Sequence, residues 1–406
     1  MTPSPSAAPE PGPPHPEIVV DLAAVRHNVG VLRAQVAPAA LMVVVKADGY
    51  GHGMLEVARA ARGSGADWLG VATLEEAAAL RAAGDRGRLL TWLTVPADDH
   101  AGAVAADVDV TVYDLDQLAA VSAAVSRAGR PARLQLKVDT GLSRGGSTAA
   151  AWPALVAAAR AGERDGSWRV TGVWSHLACS DEPDHPANAA QEAAFREAVA
   201  LAEAAGLRPE VRHLANSAGA LLRPSARFDL VRCGLAAYGL DPAPGHTPDL
   251  GLRPAMTVRS PLALVKQVPA GAGVSYGHRW VAPAATTLGL VPVGYGDGVP
   301  RHASDRAEVA VAGHRVPVRG TVCMDQLVVD LGAPAGAPGA RAGDEAVLIG
   351  PAPAPSAQDW AEACGTISYE IVTRLGGRLH RRHTGAVPEA DPAPTVVPVL
   401  EPQETA

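Results

Sequence analysis

Short runs of β-branched and aliphatic residues alternate with Ala-rich stretches of helical period from about Glu17 to Pro242. The apolar runs are EIVVD, LMVVVKA, WLGVA, LLTWL, VDVTV, RLQLKVD, RVTGVWSH, EVRHLA and FDLVRCG. Strand, helix, strand, repeated about eight times over roughly 230 residues, predicts a parallel α/β fold, and the repeat number suits a (β/α)8 barrel of the TIM type. A doubly wound sheet is the alternative, but no G-x-G-x-x-G follows a first strand. After Leu252 the rhythm changes. TVRSPLALVKQV, TTLGLVPVGYG, AEVAVAGHRVPVRG, QLVVDLG and EAVLIG follow one another with Gly/Pro turns and few helical periods, which predicts a separate β-rich C-terminal domain. Within it GAPAGAPGARAGDE reads as a loop, and SAQDWAEACGTISYEIVTRL as two helices broken at Gly365. The expected division is a barrel over 17–250 and the β-rich domain over 251–385. The Pro-dense segments at 1–16 and 386–406 read as disordered.

Composition narrows the function classes. The formal charge of −7 argues against a nucleic-acid or anionic-membrane partner, and no run approaches the apolar length of a membrane span. The first residues hold neither a basic start nor an apolar core, so no secretory signal is read there and a cytoplasmic location is expected. Cys179, Cys233, Cys323 and Cys364 have no paired metal-ligand spacing, so no metal is expected and reduced thiols are the default.

In a barrel the catalytic groups sit at the C-terminal ends of the strands, so residues scattered in sequence converge in space. Five predicted strands end in polar residues of unusual choice: Lys46 in VKADGYGHG, Lys137 to Gly145 in KVDTGLSRG, His176 in WSHLACSD, His213 to Ser217 in HLANS, and Arg232 to Gly234 in RCG. Each alone has a bland reading: a solvated lysine, a hydrogen-bonded core histidine, an arginine paired with a carboxylate. Five on one face of one barrel imply a site. A lysine at the mouth of a dry barrel loses its proton more readily, and a neutral amine can form a Schiff base with an aldehyde cofactor. The small residues of NSAG (216–219) and GL (234–235) let backbone N–H groups approach an anion, and Ser217 adds a hydroxyl donor. Lysine, phosphate cradle and a polar group facing a ring point to pyridoxal 5'-phosphate.

VVKADGYGHG, KVDTGLSRGG, HLANSAG and VRCGLAAYGL, followed in order by VSYGHRW, VGYGDG, CMDQ and GTISYE, resemble the alanine racemases, a fold-type III pyridoxal-phosphate family, from Glu17 to about Arg378. The resemblance implies that Lys46 carries the cofactor and acts as one acid/base. The other would be Tyr276, from the partner subunit of a homodimer with shared active sites. Racemisation takes a proton from one face of Cα and returns one to the other, so two groups on opposite faces suit it, each swapping roles with direction. The phenol of Tyr276 needs help to ionise near neutral pH. By resemblance His176 and Arg232, joined through His213, form the chain that provides it.

Arg232 would also face the pyridine nitrogen. It donates a hydrogen bond but hardly a proton, which leaves the ring a weaker electron sink. Tyr50, Ser217, Gly234, Leu235 and Tyr369 resemble phosphate ligands, with Asn216 in the same loop. Arg144 resembles the arginine that grips the substrate carboxylate, and Met324 the residue whose backbone N–H comes from the other subunit. Lys137 would orient Arg144, and is carbamylated in part of the family; Asp139 is the simpler ion-pair partner. Tyr295 would line the entrance with Tyr369 and favour small side chains.

Leu142 and Ser143 stand where many members have methionine and glycine. TRLGGRLH (373–380) lacks the expected proline and closing tyrosine, so no role is assigned to Arg374 or Arg378. Trp92 and Trp174, near the barrel mouth, read as core packing. The implied activity is interconversion of L- and D-alanine, an isomerase reaction supplying D-alanine for peptidoglycan. The alternatives are a serine or broad-specificity racemase, a fold-type III decarboxylase, and a non-enzymatic pyridoxal-phosphate carrier. The carrier would lack the second domain and therefore Tyr276.

Overall fold

The computed structural model describes residues 13–333 and 339–385. The segments read as disordered therefore lie, apart from residues 13–16, outside the described residues, as do 334–338 of the predicted loop. Strand β1 (Glu17–Asp21) is followed by a barrel of eight parallel strands: β2 (Ala40–Val44), β3 (Trp68–Val71), β4 (Arg88–Thr91), β5 (Asp109–Val112), β6 (Ala132–Lys137), β7 (Trp168–Trp174), β8 (Val211–His213) and β9 (Leu230–Cys233). Ladders run in sequence order from β2 to β8, and β9 pairs back onto β2. At the β8–β9 seam the Asp229 N–H donates to the Arg212 carbonyl at 3.1 Å and the Arg232 N–H to the Ala215 carbonyl at 3.0 Å. The (β/α)8 expectation is met.

Helices follow the strands because the loops end in residues that cap them. Thr73 and Glu76 form a reciprocal capping box on Leu74–Ala82, and Asp114 caps Leu115–Ala128, which stops at Gly129 in the left-handed conformation.

EIVVD does not join the barrel, contrary to the expected 17–250 boundary. β1 pairs antiparallel with β10 (Met256–Pro261) and parallel with β19 (His380–Thr384). The reason lies in its burial. Only Ile18 and Val20 are fully inside, so the strand buries one face, whereas β3 and β5 of the barrel are buried at every position.

The rest of the chain is β-rich as expected. Between β10 and β19 come β11 (Leu264–Val268), β12 (Gly273–Val274), β13 (Trp280–Val281), β14 (Thr286–Val291), β15 (Glu308–Val311), β16 (His314–Pro317), β17 (Leu327–Gly332) and β18 (Glu345–Ile349). They make a six-stranded sheet β16-β15-β18-β10-β1-β19, a three-stranded sheet β11-β14-β17 and the pair β12-β13. Helices Ala357–Cys364 and Ser368–Arg374 are separated at Gly365, whose φ is 67°. Asn28, fully buried in helix Leu22–Val36, ties the linker down: its amide donates to the carbonyls of Ala237 and Arg253 and accepts from the Arg253 N–H.

At the N-terminal end of the barrel, opposite the mouth, fully buried Asp109 accepts from Arg88 (3.3 Å), Arg133 (3.1 Å) and the Thr171 hydroxyl. Glu210 pairs with Arg88, Arg133 and Arg169. Asp109→Ala leaves two arginines facing an emptied carboxylate site and should cost about 3–5 kcal/mol. The measurement is the guanidinium unfolding midpoint. Turnover of the folded protein should stay near wild type, since the change lies at the far end from the mouth.

Candidate active site

β2 delivers Lys46 to the mouth and then reverses hand. From Ala47 to Gly51 every residue has a positive φ: 52, 52, 63, 54 and 78°. This is a turn of left-handed helix, costing an L-residue about 1–2 kcal/mol, and Ala47, Asp48 and Tyr50 are not glycine. The turn brings Lys46 and Tyr50 to line one cavity of about 650 Å³. Burial lowers the pKa of the Lys46 amine, helped by the positive charge of Arg144 and opposed by Glu76.

The Tyr50 ring sits 5.0 Å from Tyr238 and 6.1 Å from Tyr369. Burial drives its phenol well above the ordinary value, so it remains a neutral donor. The Tyr369 phenol is likewise pushed up to about 12, by burial first. Gly234 is required opposite Tyr50, because a Cβ there would sit 2.3 Å from the phenol oxygen. The Gly234 N–H donates to the Ser217 hydroxyl at 3.0 Å, joining the two small-residue loops, and Asn216 caps helix Ser217–Leu222 through the Gly219 N–H.

Arg232 is the hub of the floor. Nη1 donates to His213 Nδ1 at 2.8 Å, while Nη2 lies 2.8 Å from the Ser175 carbonyl, 3.0 Å from His176 Nδ1 and 2.9 Å from the Leu214 carbonyl. The expected order, with His213 as the joint, is therefore corrected: the guanidinium fork has donors enough to hold both histidines, which an imidazole lacks. Both histidines accept at Nδ1, so Nε2 keeps the hydrogen. His213 spends it on Gln135 Oε1 at 2.7 Å, and that of His176 stays available. Burial and the Arg232 charge hold both rings neutral, well below the ordinary histidine value. Burial also pulls Arg232 down to about 9, still charged at neutral pH.

Lys46, Lys137, Arg144 and Arg232 line the cavity, and among the described residues no carboxylate does. Burial, with the charges of Arg232 and Arg144, brings the Lys137 amine down to about 8. The Asp139 alternative is not realised: its Oδ1 accepts from the N–H groups of Gly141 (2.9 Å) and Ser143 (3.1 Å), and it pairs with neither cation. Ser143 has a φ of 56°, the region that favours the glycine common there.

Indole faces meet the cations instead. Trp174 lies 4.5 Å from Lys137 Nζ and 4.8 Å from the Arg232 guanidinium, stacks on His213, and Trp92 lies 5.8 Å from Lys46 Nζ. Both tryptophans line the cavity, which corrects their reading as core packing alone. Trp174 stands two residues before His176, and Gln135 two before Lys137. That strand spacing puts each pair on one side of the sheet and is the signal that could have found them.

The predicted site residues divide into two sets. Lys46, Tyr50, Lys137, Arg144, His176, Asn216, Ser217, Arg232, Gly234, Leu235 and Tyr369 line the cavity, and His213 lies directly behind Arg232. Tyr276, Tyr295 and Met324 do not line it; they face outward, 73, 41 and 54% exposed. The segment from Thr321 to Met324 ties these three together through one side-chain hydroxyl and two backbone bonds. Thr321 donates to the Tyr276 carbonyl (3.0 Å), Tyr295 to Cys323 (3.0 Å) and Gly296 to Met324 (2.8 Å).

Family models for the N-terminal and C-terminal domains of alanine racemase match residues 20–242 and 255–383. The chain belongs to the alanine racemase family. It is 55% identical over 371 residues to the alanine racemase of Streptomyces coelicolor, covering 89% of this chain and 94% of that one. The crystal structure of alanine racemase from D-cycloserine-producing Streptomyces lavendulae superposes with a TM-score of 0.90 at 53% identity, covering 92% and 98%. That of the Bartonella henselae alanine racemase with covalently bound pyridoxal phosphate matches at 28% identity and a TM-score of 0.81, covering 91% and 100%.

Pyridoxal phosphate fits what this alanine racemase family member offers. Arg232 Nε makes no hydrogen bond to the described residues, glycine leaves room at 234, and four cations without a carboxylate suit a phosphate and a substrate carboxylate together. Gly234→Ala should weaken binding of added pyridoxal phosphate about tenfold or more, read by absorbance titration, because the new methyl displaces the Tyr50 phenol.

Lys137 sets a pH test. Between about 8 and the unfolded value of about 10.4 the unfolded chain binds more protons, so stability rises with pH through that window and burial of the ammonium costs most below it. In carbon-dioxide-free buffer Lys137→Met should raise the unfolding midpoint of the cofactor-free chain at pH 7, and the gain should shrink toward pH 10.

Proposed function

We propose that the chain interconverts L- and D-alanine by passing the Cα proton between Lys46 on one face and the partner subunit's Tyr276 on the other. Racemisation of alanine with pyridoxal phosphate accords with a family match over both domains and with relatives at about half identity along most of the chain. The non-enzymatic carrier is set aside by the match at 255–383. The observation that carries the reading is the cavity's charge pattern: a lysine with a depressed pKa among three further cations, no carboxylate, and a phenol turned outward on the second domain.

Bound through Lys46, pyridoxal phosphate supplies the electron sink that acidifies the substrate Cα–H. Tyr50 and Ser217, with Gly234, Leu235 and Tyr369 beside them, hold the phosphate end. Arg232, whose Nε makes no hydrogen bond among the described residues, would face the ring nitrogen as a donor that holds its own proton, which would keep the ring a weaker electron sink. Arg144 grips the substrate carboxylate, assisted by the backbone N–H of the partner subunit's Met324. Lys137, whose amine burial brings down to about 8, shares the cavity with Arg144 and would orient it.

The lysine amine, kept largely dry, takes or returns the proton at its face. On the opposite face the free Nε2–H of His176 is the donor that would meet the phenol oxygen of the partner subunit's Tyr276. Arg232 polarises that imidazole, and His213 and Gln135 anchor Arg232 from behind. Tyr295 of the partner subunit narrows the entrance toward a methyl-sized side chain. The reading requires a homodimer. Among the described residues no helix is long and apolar enough to cross a membrane, and we place the enzyme in the cytoplasm.

Lys46→Ala should abolish both the cofactor band and turnover. Tyr276→Ala should keep the band and lose turnover, more from D- than from L-alanine. Mixing the two dead variants after dissociation and reassociation should restore about a quarter of wild-type activity, since half of the random dimers are hybrids with one intact site. No recovery in demonstrably mixed dimers would sink the shared-site reading.

A further inference from the structure

We propose that Arg381, on the last strand of the second domain's sheet, is a positioning residue for Lys46: it holds the left-handed turn that delivers the lysine and the Tyr50 phenol to the cofactor. This rests on the reading of Lys46 as the cofactor lysine.

β19 lies at the edge of its sheet, paired with β1. Successive side chains on a strand point to opposite sides. Arg382 turns to Glu17 of β1, at 3.2 Å through both Nε and Nη2. Arg381 and His383 point the other way and reach the barrel. Arg381 Nη1 donates to Asp48 Oδ2 at 2.5 Å, and His383 Nε2 donates to the His52 carbonyl at 2.8 Å.

Asp48 sits inside the left-handed turn, between Lys46 and Tyr50. Its second oxygen, Oδ1, accepts from the Met54 N–H at 2.9 Å, so the carboxylate is gripped from both sides. Glu76 accepts from the Ala47 N–H at 2.7 Å, and His52 Nδ1 lies 2.9 Å from the Tyr50 carbonyl. Among the described residues Arg381 is the only ion-pair partner that residues 46–51 have. The fit leaves little slack. A Cβ on Gly51 would lie 2.3 Å from the Val372 carbonyl oxygen, and one on Gly53 2.6 Å from His383 Nε2.

Ala47, Asp48 and Tyr50 would each relax toward right-handed or extended backbone if released. Such a relaxation at Asp48 changes the directions of its neighbours Lys46 and Tyr50. The Arg381–Asp48 pair opposes it. Asp48 is more than half exposed, so the pair adds little to global stability; its effect is on the local choice of conformation. That separates positioning from simple support of the fold.

Arg382→Ala is the control, since it removes the neighbouring ion pair of the same strand on the opposite side. The dissociation constant for pyridoxal phosphate, the alanine kcat and KM, and the thermal unfolding midpoint are measured on the full chain. Arg381→Ala should weaken cofactor binding about tenfold and lower kcat in step. KM for alanine and the unfolding midpoint should hardly move. Arg381→Lys, which can still reach a carboxylate, should recover most of the loss, and Arg382→Ala should match wild type. Asp48→Asn should reproduce Arg381→Ala without adding to it in the double variant, and it serves as the test if Arg381→Ala does not fold. Equal effects of Arg381→Ala and Arg382→Ala, or a cofactor affinity and kcat unchanged in Arg381→Ala and Asp48→Asn, would overturn the proposal. Retention of the cofactor band in Lys46→Ala would instead overturn the reading beneath it.

Discussion

Four cations share one barrel mouth with no carboxylate among the described residues that line it, and most of the site's features answer that constraint. Crowded positive charge in a poorly hydrated cavity is unfavourable, and three devices relieve it. The lysines give up proton affinity, Lys137 falling to about 8. Indole faces approach Lys46, Lys137 and Arg232 where acids would otherwise stand. The remaining imbalance is left for ligands, and a cofactor phosphate and a substrate carboxylate are the anions that fit. A buried carboxylate would quench the same charge permanently and compete with both.

Arg232 shows how one side chain can serve several ends. Its guanidinium fork fixes the tautomers of His176 and His213 by donating to both, leaving a hydrogen on His176 Nε2 and a free Nε on itself. A lysine could supply the charge but not the planar geometry. Behind it, Gln135 closes the network with an amide, which keeps the floor neutral apart from the arginine.

Much of the architecture was readable from alternation. The barrel strands, the switch to β-rich pattern after Leu252 and the helix break at Gly365 follow from local periodicity and a glycine. Of the predicted site residues, eleven line one cavity, whereas Tyr276, Tyr295 and Met324 lie outside it. EIVVD reads the same in a barrel and in the second domain's sheet, where β1 lies between β10 and β19; only the one-faced burial distinguishes them. The histidine order failed for a related reason: motifs say which residues are near a site, and hydrogen-bond geometry says which touch. Trp174 looked like packing because an indole is apolar in a sequence and a cation partner only in space. Arg381 lies just beyond the stretch 373–380 and outside the eight motifs, so nothing in the sequence singled it out.

The sequence alone determined the element types, the two-part organisation and the chemistry of the pocket, because strand periodicity and the residue choices at strand ends are local facts written within a few positions. The tertiary structure alone decided that β1 serves the second domain, that Arg232 rather than His213 is the hub, that Tyr276 faces outward, and that Arg381 meets Asp48 from 333 residues away. Those contacts depend on how distant elements are placed against one another. That placement is selected by packing of the whole core and leaves no period or spacing in the chain.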